Sequence, residues 1–309
     1  MVTTRRSFLS SAVRPMAIAF ALSLNRRAAS APRQLAKDDF ARFRDELLKL
    51  VNSERGLAGA SSLALDDLAC RVADQHALDM ATGKFLSHWG RDGRKPYQRY
   101  ADAGAPDATQ ENVSAADELE ALSPEYIAQM LARMDMKMYA EVPPNDGHRR
   151  TILAPQHTHA GFGIALANRD LRLVELYVGK HVRLDPYPTQ AKPKATVQLS
   201  GKLLNPGHQV SYAEIFFEPP PSPPGIDWLR APRPYSLPDE SKAIRLIAPI
   251  GTQYADGVIG EIEAYGQGRF RMPVKLFKSE PGVYTVVIYL SERGGRKKFG
   301  ATNICIHAD

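Results

Sequence analysis

Histidines and carboxylates are the side chains of this sequence whose chemistry suits metal binding and proton transfer. Three of the eight histidines, His148, His157 and His159, fall within twelve residues, and His88 and Glu111 lie upstream of them. Neutral imidazoles and carboxylates are ligands that Zn²⁺ accepts, and an open coordination position would hold water. If these side chains converge, as we argue below for His88, Glu111 and His159, they suit a divalent-metal site. The alternative is a hydrogen-bonded polar cluster that rigidifies the fold and binds metal only adventitiously.

The segment that follows His159 alternates small and large apolar residues, which is typical of a strand with two unlike faces. Phe162, Ile164 and Leu166 form the large face of this predicted strand at 160–167. His159 shares the small face with two glycines. We expect those glycines to leave room for a ligand beside the histidine.

Apolar residues at helical spacing predict helices at 38–55, 66–83 and 123–142, with a shorter helix at 96–104. Glu141 falls on the inward stripe of the third helix, where a carboxylate needs a partner. A strand at 171–178 completes a hairpin with the strand at 160–167.

The remaining histidines have plainer interpretations. His76 lies on the apolar stripe of the second helix and is predicted to be a core histidine. His148 is the rival metal ligand, but the favoured interpretation is a loop histidine that bonds the backbone. His157 is expected to face solvent.

The second half of the chain has a different character. A Pro- and Lys-rich segment at 185–194 reads as a linker, and short strands separated by turn residues follow it. The predicted strands are 196–204, 210–217, 243–247, 274–277, 283–290 and 301–307. This pattern predicts an antiparallel β-sandwich at 195–309. Cys70 and Cys305, in separate domains, are expected to be small buried hydrophobic residues.

The net charge of +6 originates in the N-terminal segment. Five of the 40 basic residues lie at positions 1–31, which contain no acid, so 35 basic residues face 34 acidic ones in the rest of the chain. No block of Lys and Arg interleaved with aromatic residues is present, and nucleic acid is therefore not expected as a partner.

The N-terminus resembles a twin-arginine export signal. Arg5-Arg6 precede a modestly apolar run at 16–24, and Ala29-Ser30-Ala31 suit a cleavage site. No other stretch approaches membrane length, so we expect no transmembrane span after signal cleavage. The predicted location is periplasmic or extracellular, with the protein tethered if the signal at 1–31 stays uncut.

Residues from about 40 to 182 resemble the CAP superfamily of cysteine-rich secretory, antigen 5 and pathogenesis-related 1 proteins, in its bacterial SCP-like branch. Six segments carry the resemblance in order, namely 51–55, 65–80, 87–90, 111–112, 147–153 and 159–163. The resemblance implies an α-β-α sandwich at 36–184. With the second half, the expected fold class is α+β.

The same resemblance implies a cleft lined by two histidines and two acids. Carried over by position, these are His88, His159, Glu111 and Glu141, with His148 as the alternative ligand and zinc as the expected cofactor. Glu141 closes the segment Met-Tyr-Ala-Glu, which matches the family pattern except for its Trp.

Three functions fit these observations. The favoured one is an exported binding module whose cleft holds a divalent metal and a lipid, sterol or envelope ligand, without established catalysis. The second is a zinc-dependent peptidase or esterase with Glu111 or Glu141 as general base, although no His-Glu-x-x-His or Gly-x-Ser-x-Gly motif is present. The third is an envelope adhesion or scaffold protein that acts through its C-terminal domain. The oligomeric state is left open.

Overall fold

Six helices and fourteen strands make up residues 35–309, the part of the chain that the computed structural model describes. The predicted export signal at 1–31 lies outside the described residues. The helices are α1 (Lys37–Leu57), α2 (Asp67–Gly83), α3 (Pro96–Asp102), α4 (Pro124–Tyr139), α5 (Gly147–Leu153) and α6 (Ile226–Arg230). The strands are β1 (Ala64–Leu65), β2 (Ala108–Ala116), β3 (His159–Ala167), β4 (Asp170–Gly179), β5 (Val182–Leu184), β6 (Gln190–Ala191), β7 (Thr196–Leu203), β8 (His208–Glu218), β9 (Ser241–Arg245), β10 (Glu263–Tyr265), β11 (Arg269–Lys275), β12 (Gly282–Glu292), β13 (Lys298–Gly300) and β14 (Ile304–Ala308).

The first half of the described chain is an α-β-α sandwich. Its sheet has the strand order β1-β3-β4-β2, which leaves β2 at one edge. Helices α1 and α4 share a core with one face of β3 and β4, and α2 shares a core with the other face. The predicted α+β class and layer order are confirmed.

The small face of β3 accommodates a helix. A Cβ atom added at Gly161 would lie 2.4 Å from the backbone carbon of Ala69, and one at Gly163 would lie 2.1 Å from that of Ala73. Helix α2 therefore packs directly on the glycine backbone. The expectation that these glycines leave room for a ligand is wrong, because α2 fills that space.

The second half is a β-sandwich, as predicted. One sheet has the order β10-β11-β7-β5, and the other has the order β6-β14-β12-β8-β9 with β13 paired to β12. Apolar side chains from both sheets form a single core. Strand β6 lies within the expected linker at 185–194 and pairs with β14 of the sandwich. Strand β5 precedes that linker, but it pairs with β7 of the sandwich. The domain boundaries stay predictions.

The sandwich packs against the edge strand of the first half. Asp107 and Thr302 form an antiparallel bridge, and the Ala108 N–H donates to the Ala301 carbonyl at 3.2 Å. Glu218 at the end of β8 accepts hydrogen bonds from Lys95 and Tyr97, at 2.8 and 2.9 Å. Side chains of the second half can therefore reach any site along β2.

Two further expectations can be compared with residues 35–309. Cys70 and Cys305 are both free and buried, which confirms their interpretation as small buried side chains. None of the helices in this part of the chain combines the length and apolar character needed to cross a membrane.

Three buried carboxyl groups meet between the helices and the sheet. Glu54 of α1, Asp135 of α4 and Glu175 of β4 form this acid cluster, and Asp135 and Glu175 are fully buried. Burial, and then the neighbouring carboxyl groups, raise the pKa of Glu54 to about 7 and that of Asp135 to about 11. Neither oxygen of Asp135 receives a hydrogen bond from a donor in the described residues. Asn112 and Tyr177 donate to Glu175, so it is Asp135 whose hydrogen bonds depend on protons held within the cluster.

We predict that Asp135→Asn stabilises the protein at pH 8. A raised pKa contributes stability below the unfolded value of about 4, and that stability is lost as the pH rises, because only the unfolded chain ionises. Asparagine stays neutral and offers two N–H donors to Glu54 and Glu175. Urea unfolding at pH 5 and pH 8 should show a gain in the free energy of unfolding that grows with pH and exceeds about 1 kcal/mol at pH 8.

The matched control is Asp45→Asn, on the exposed face of α1. It should leave the pH dependence unchanged. Parallel stability curves for the wild type and Asp135→Asn would contradict the assignment of a protonated Asp135.

Candidate functional site

A cleft of about 580 Å³ lies along the edge strand β2. Four segments supply its walls: the loop before α3, strand β2, the α4–α5 connection, and the second half of the chain. Its lining residues are His88, Tyr97, Thr109, Gln110, Glu111, Asn112, Glu141, Asn145, Gly147, His148, Thr151, Pro234, Tyr235, Leu237 and Asn303. Three of the four predicted site residues, together with the rival ligand His148, thus share one cleft.

Glu111 and His88 form the first pair of the cleft. The Nδ1–H of His88 donates to Glu111 Oε1 at 3.0 Å, and Arg99 donates to Glu111 Oε2 at 2.6 Å. Burial works to raise the pKa of Glu111, but Arg99 above all, then His76 and His88, outweigh it and lower the pKa to about 2. Glu111 is therefore a permanent carboxylate, although its side chain is only 2% exposed.

Glu141 and His148 form the second pair. Glu141 follows α4, and His148 lies in the first turn of α5. The His148 Nδ1–H donates to Glu141 Oε1 at 2.5 Å, and the backbone N–H of His148 donates to Oε2 at 2.9 Å. His148 is thus the partner that the predicted inward carboxylate of Glu141 requires. The interpretation of His148 as a backbone-bonding loop histidine is wrong, because its ring bonds a side chain.

The two pairs have the same chemical form. In each, a carboxylate holds the Nδ1–H of the imidazole, which fixes the tautomer and leaves a lone pair on Nε2. Neither Nε2 atom has a hydrogen-bond partner among residues 35–309. The cleft therefore contains two imidazoles whose Nε2 atoms are left without a partner in the described residues.

These pairs do not make up a complete metal site. Within residues 35–309, no group of three or more His, Cys, Asp or Glu side chains is arranged to hold a metal ion. Catalytic zinc normally takes three protein ligands and structural zinc four. What these pairs leave open to a ligand is the Nε2 atom of His88 and that of His148.

His159 lies away from this cleft. It opens β3, which is separated from β2 by β4, a displacement of about 10 Å across two strand spacings. Its Nδ1 lies 2.8 Å from Thr158 Oγ1, and burial, then Lys180, lower its pKa. The predicted convergence of His88 and Glu111 on His159 is wrong, and His148 stands where His159 was expected.

Two other histidines, His76 and His157, are buried and form hydrogen bonds to residues next to the cleft or in its lining. His76 is confirmed as a core histidine, and its Nε2–H donates to the carbonyl of Ser87 at 2.8 Å, next to His88. His157 was expected in solvent, but this is wrong, because it is 3% exposed and donates from Nε2 to Gln110 at 2.9 Å. Burial lowers the pKa of His76 to about 4 and that of His157 to about 3, so both are neutral.

Sequence reasoning missed Arg99 and Tyr235. Tyr235 belongs to the Pro-rich segment of the second half, and its hydroxyl accepts a hydrogen bond from the Glu111 backbone N–H at 2.9 Å. Its ring lies 4.9 Å from the ring of His88. Arg99 sits on a short helix without a distinctive motif, and the contact of Tyr235 spans 124 positions, so no local pattern could have identified either residue.

Asn303 plays a part similar to that of Tyr235. Its side-chain oxygen accepts from the backbone N–H of Thr109 at 2.9 Å. Because Thr109 and Glu111 are alternate residues of β2, these two bonds satisfy successive outward N–H groups of the edge strand. The second half of the chain thus closes part of the edge along which the cleft lies.

Comparisons with known proteins agree on one part of the chain. The sequence model named CAP, the cysteine-rich secretory protein family, matches residues 48–178. No curated protein sequence matches the chain significantly.

Three solved structures match about half of the chain. An extracellular SCP-domain protein from Bacillus anthracis is 20% identical over 49% of this chain and 45% of its own, with a TM-score of 0.35. An outer surface protein from Borrelia burgdorferi is 16% identical over 48% and 98%, with a TM-score of 0.37. The CAP domain of enterococcal PrgA is 17% identical over 48% and 64%, with a TM-score of 0.34. The chain thus spans less than half the length of the Bacillus protein.

We predict that Arg99→Gln lowers the free energy of unfolding at pH 7 by about 3 kcal/mol, because it leaves the buried Glu111 charge without its main partner. A lowered pKa contributes stability above the unfolded value of 4.5, and this stability is lost as the pH falls towards 2. The variant should therefore also lose part of the acid sensitivity of the wild type between pH 4.5 and pH 2. Urea unfolding across this range measures both effects.

Arg91→Gln is the control for this experiment. It breaks the ion pair between Arg91 and Asp79, in which the arginine side chain is 54% exposed, and should cost less than about 1 kcal/mol. Equal losses in the two variants would show that Arg99 is not the charge on which Glu111 depends.

Proposed function

We propose that this chain, in which the model of the CAP (cysteine-rich secretory protein) family matches residues 48–178, binds a ligand in its cleft and does not carry out hydrolysis. The observation behind the proposal is the pair of matched His–Glu contacts that line one cleft. Each carboxylate is committed to holding a histidine. What remains available to a ligand is the outer nitrogen of each ring.

The hydrolase alternative has little support in this geometry. A general base works best with a pKa near the working pH and with a free lone pair. Glu111 has a pKa of about 2, and both of its oxygens are bonded, to His88 and Arg99. Both oxygens of Glu141 are bonded to His148. Neither carboxylate is free to take a proton from water.

We further propose that the cleft takes up a divalent cation, with zinc as the first choice, through Nε2 of His88 and Nε2 of His148. A zinc ion there would supply positive charge that attracts a ligand oxygen. Glu111 and Glu141 would orient the two rings and raise the basicity of the ligating nitrogens. With only two protein ligands, binding would be weak alone and stronger with the ligand present.

The lining of the cleft favours a polar envelope ligand over a lipid or sterol. Most of its side chains carry hydrogen-bonding groups, and two are tyrosines, Tyr97 and Tyr235. Acyl chains and sterols prefer predominantly apolar pockets, whereas hydroxyl groups need such donors and acceptors. We therefore take a glycan of the cell envelope as the ligand class.

Export to the periplasm or the cell exterior is part of the same proposal. It rests on the sequence of positions 1–31, with Arg5-Arg6 before an apolar run. A pure scaffold role for the second half is less favoured. That half contributes Tyr235 and Asn303 to the cleft, so it takes part in the same site.

We predict weak zinc binding, close to one ion per chain, that His88→Gln/His148→Gln abolishes. Titration calorimetry with zinc chloride at pH 7.5 measures it, and circular dichroism checks that the variant is folded. His159→Gln is the matched control, since this histidine lies outside the cleft. If His159→Gln removes binding and the double variant retains it, the metal site is elsewhere.

We also predict that the purified chain sediments with peptidoglycan sacculi, and that Tyr235→Ala and the double histidine variant each weaken this binding. Both changes remove polar or aromatic contacts from the cleft, whereas His159→Gln should bind as the wild type does. Mass spectrometry of organic extracts is the opposing measurement. A stoichiometric lipid in the wild type that is lost in Tyr235→Ala would replace the glycan with a lipid ligand.

A further inference from the structure

One end of the β-sandwich concentrates basic side chains. The connection from β12 to β13, together with the first residue of β13, carries four of them within six residues, and the acid Glu292 directly precedes it. The four are Arg293, Arg296, Lys297 and Lys298. This local excess contrasts with the near balance of charge in the rest of the chain beyond position 31.

Three more cations form a row across the outer face of the smaller sheet. Lys202 of β7 pairs in register with Arg269 of β11 on one side and with Arg183 of β5 on the other. The neighbours of Lys202 along its strand, Gly201 and Leu203, are buried, so its own side chain points outward. These three and the four loop cations together are termed the basic end.

None of the seven cations of the basic end forms an ion pair with an acid in the described residues. Pairing is used elsewhere on the same sheet, where Arg271 contacts Glu263 and Lys275 contacts Glu261, each at 2.6 Å. Like charges directly opposite each other across strands are destabilising. The arrangement therefore costs stability, which points to an external anion as the missing partner.

A cavity of about 800 Å³ opens at this end. Four of the seven cations line it, namely Arg269, Arg293, Arg296 and Lys298. His208 also lines it, and the Nδ1 atom of this histidine is buried without a hydrogen-bond partner in residues 35–309. The site thus combines positive charge with an unsatisfied polar atom.

Exposed apolar side chains lie beside the cations. Tyr265 lines the same cavity, pairs in register with Arg269 and is 49% exposed. Leu204 follows Leu203 of the cavity wall and is 53% exposed. A soluble anion does not interact favourably with exposed apolar side chains. A membrane with anionic lipids attracts cations and also buries apolar side chains at its interface.

We propose that the basic end docks on a membrane that contains anionic phospholipids. The cations face the phosphate groups, and Leu204 and Tyr265 enter the boundary between head groups and acyl chains. This surface lies in the second half of the chain, outside the cleft, and does not depend on the function proposed for the cleft. Docking would hold the cleft close to the membrane without a transmembrane helix.

Co-sedimentation of the full chain with vesicles tests the proposal. We expect binding to vesicles of phosphatidylcholine with phosphatidylglycerol, no binding to phosphatidylcholine alone, and a loss of binding at high salt. Arg293→Gln/Arg296→Gln/Lys298→Gln should weaken binding by at least about tenfold. Arg271→Gln/Lys275→Gln removes two cations from the same sheet that already have acidic partners, and should bind as the wild type does.

A third variant separates a membrane from a soluble polyanion. Leu204→Ser/Tyr265→Ser should weaken vesicle binding and leave binding to soluble polyphosphate unchanged. All of these positions are exposed or lie in loops, and thermal unfolding confirms that each variant is folded. The proposal is overturned if neutral vesicles bind equally well, if the paired-cation control loses as much binding as the triple variant, or if the apolar variant keeps full vesicle binding.

Discussion

The ion pair between Arg99 and Glu111 is the interaction on which the cleft depends. A carboxylate that is only 2% exposed would normally take up a proton, because burial disfavours its charge. Arg99 reverses this preference and also donates to the carbonyl of His88 at 2.8 Å. One guanidinium group thus keeps Glu111 ionised and holds the backbone of the loop that bears His88. The tautomer and the position of that histidine follow from it.

A second constraint comes from the edge of the sheet. An edge strand presents unpaired N–H and C=O groups, which invite pairing with another chain. In this protein, Tyr235 and Asn303 take two of those N–H groups, and the bridge at Asp107 and Thr302 takes the start of the strand. The cleft lies where side chains from α5 and from the loop before α3, and not only residues of the second half, line the edge strand. The cleft and the contact between the two halves of the chain therefore both lie along the edge strand β2.

Local patterns in the sequence predicted much of the fold. The apolar periods of α1, α2 and α4 placed those helices, alternation placed β3, and turn residues delimited most strands of the sandwich. Contacts over long range were harder to infer. The family resemblance assigned His159 to the cleft instead of His148, but the sheet order puts β4 between β3 and β2. Sequence alone does not state that order. The role of the glycines in β3 was likewise misjudged, since a close-packed helix and an open ligand site require the same small residues.

The contribution of Tyr235 has a consequence for how such proteins diversify. The two histidines of the cleft lie in the part of the chain that the CAP family model matches, whereas this tyrosine lies beyond the match. A change of partner domain could therefore alter what the cleft accepts while every shared residue stays the same. Ligand preference would then be inherited separately from the family motifs, and motif similarity alone would be a poor guide to it.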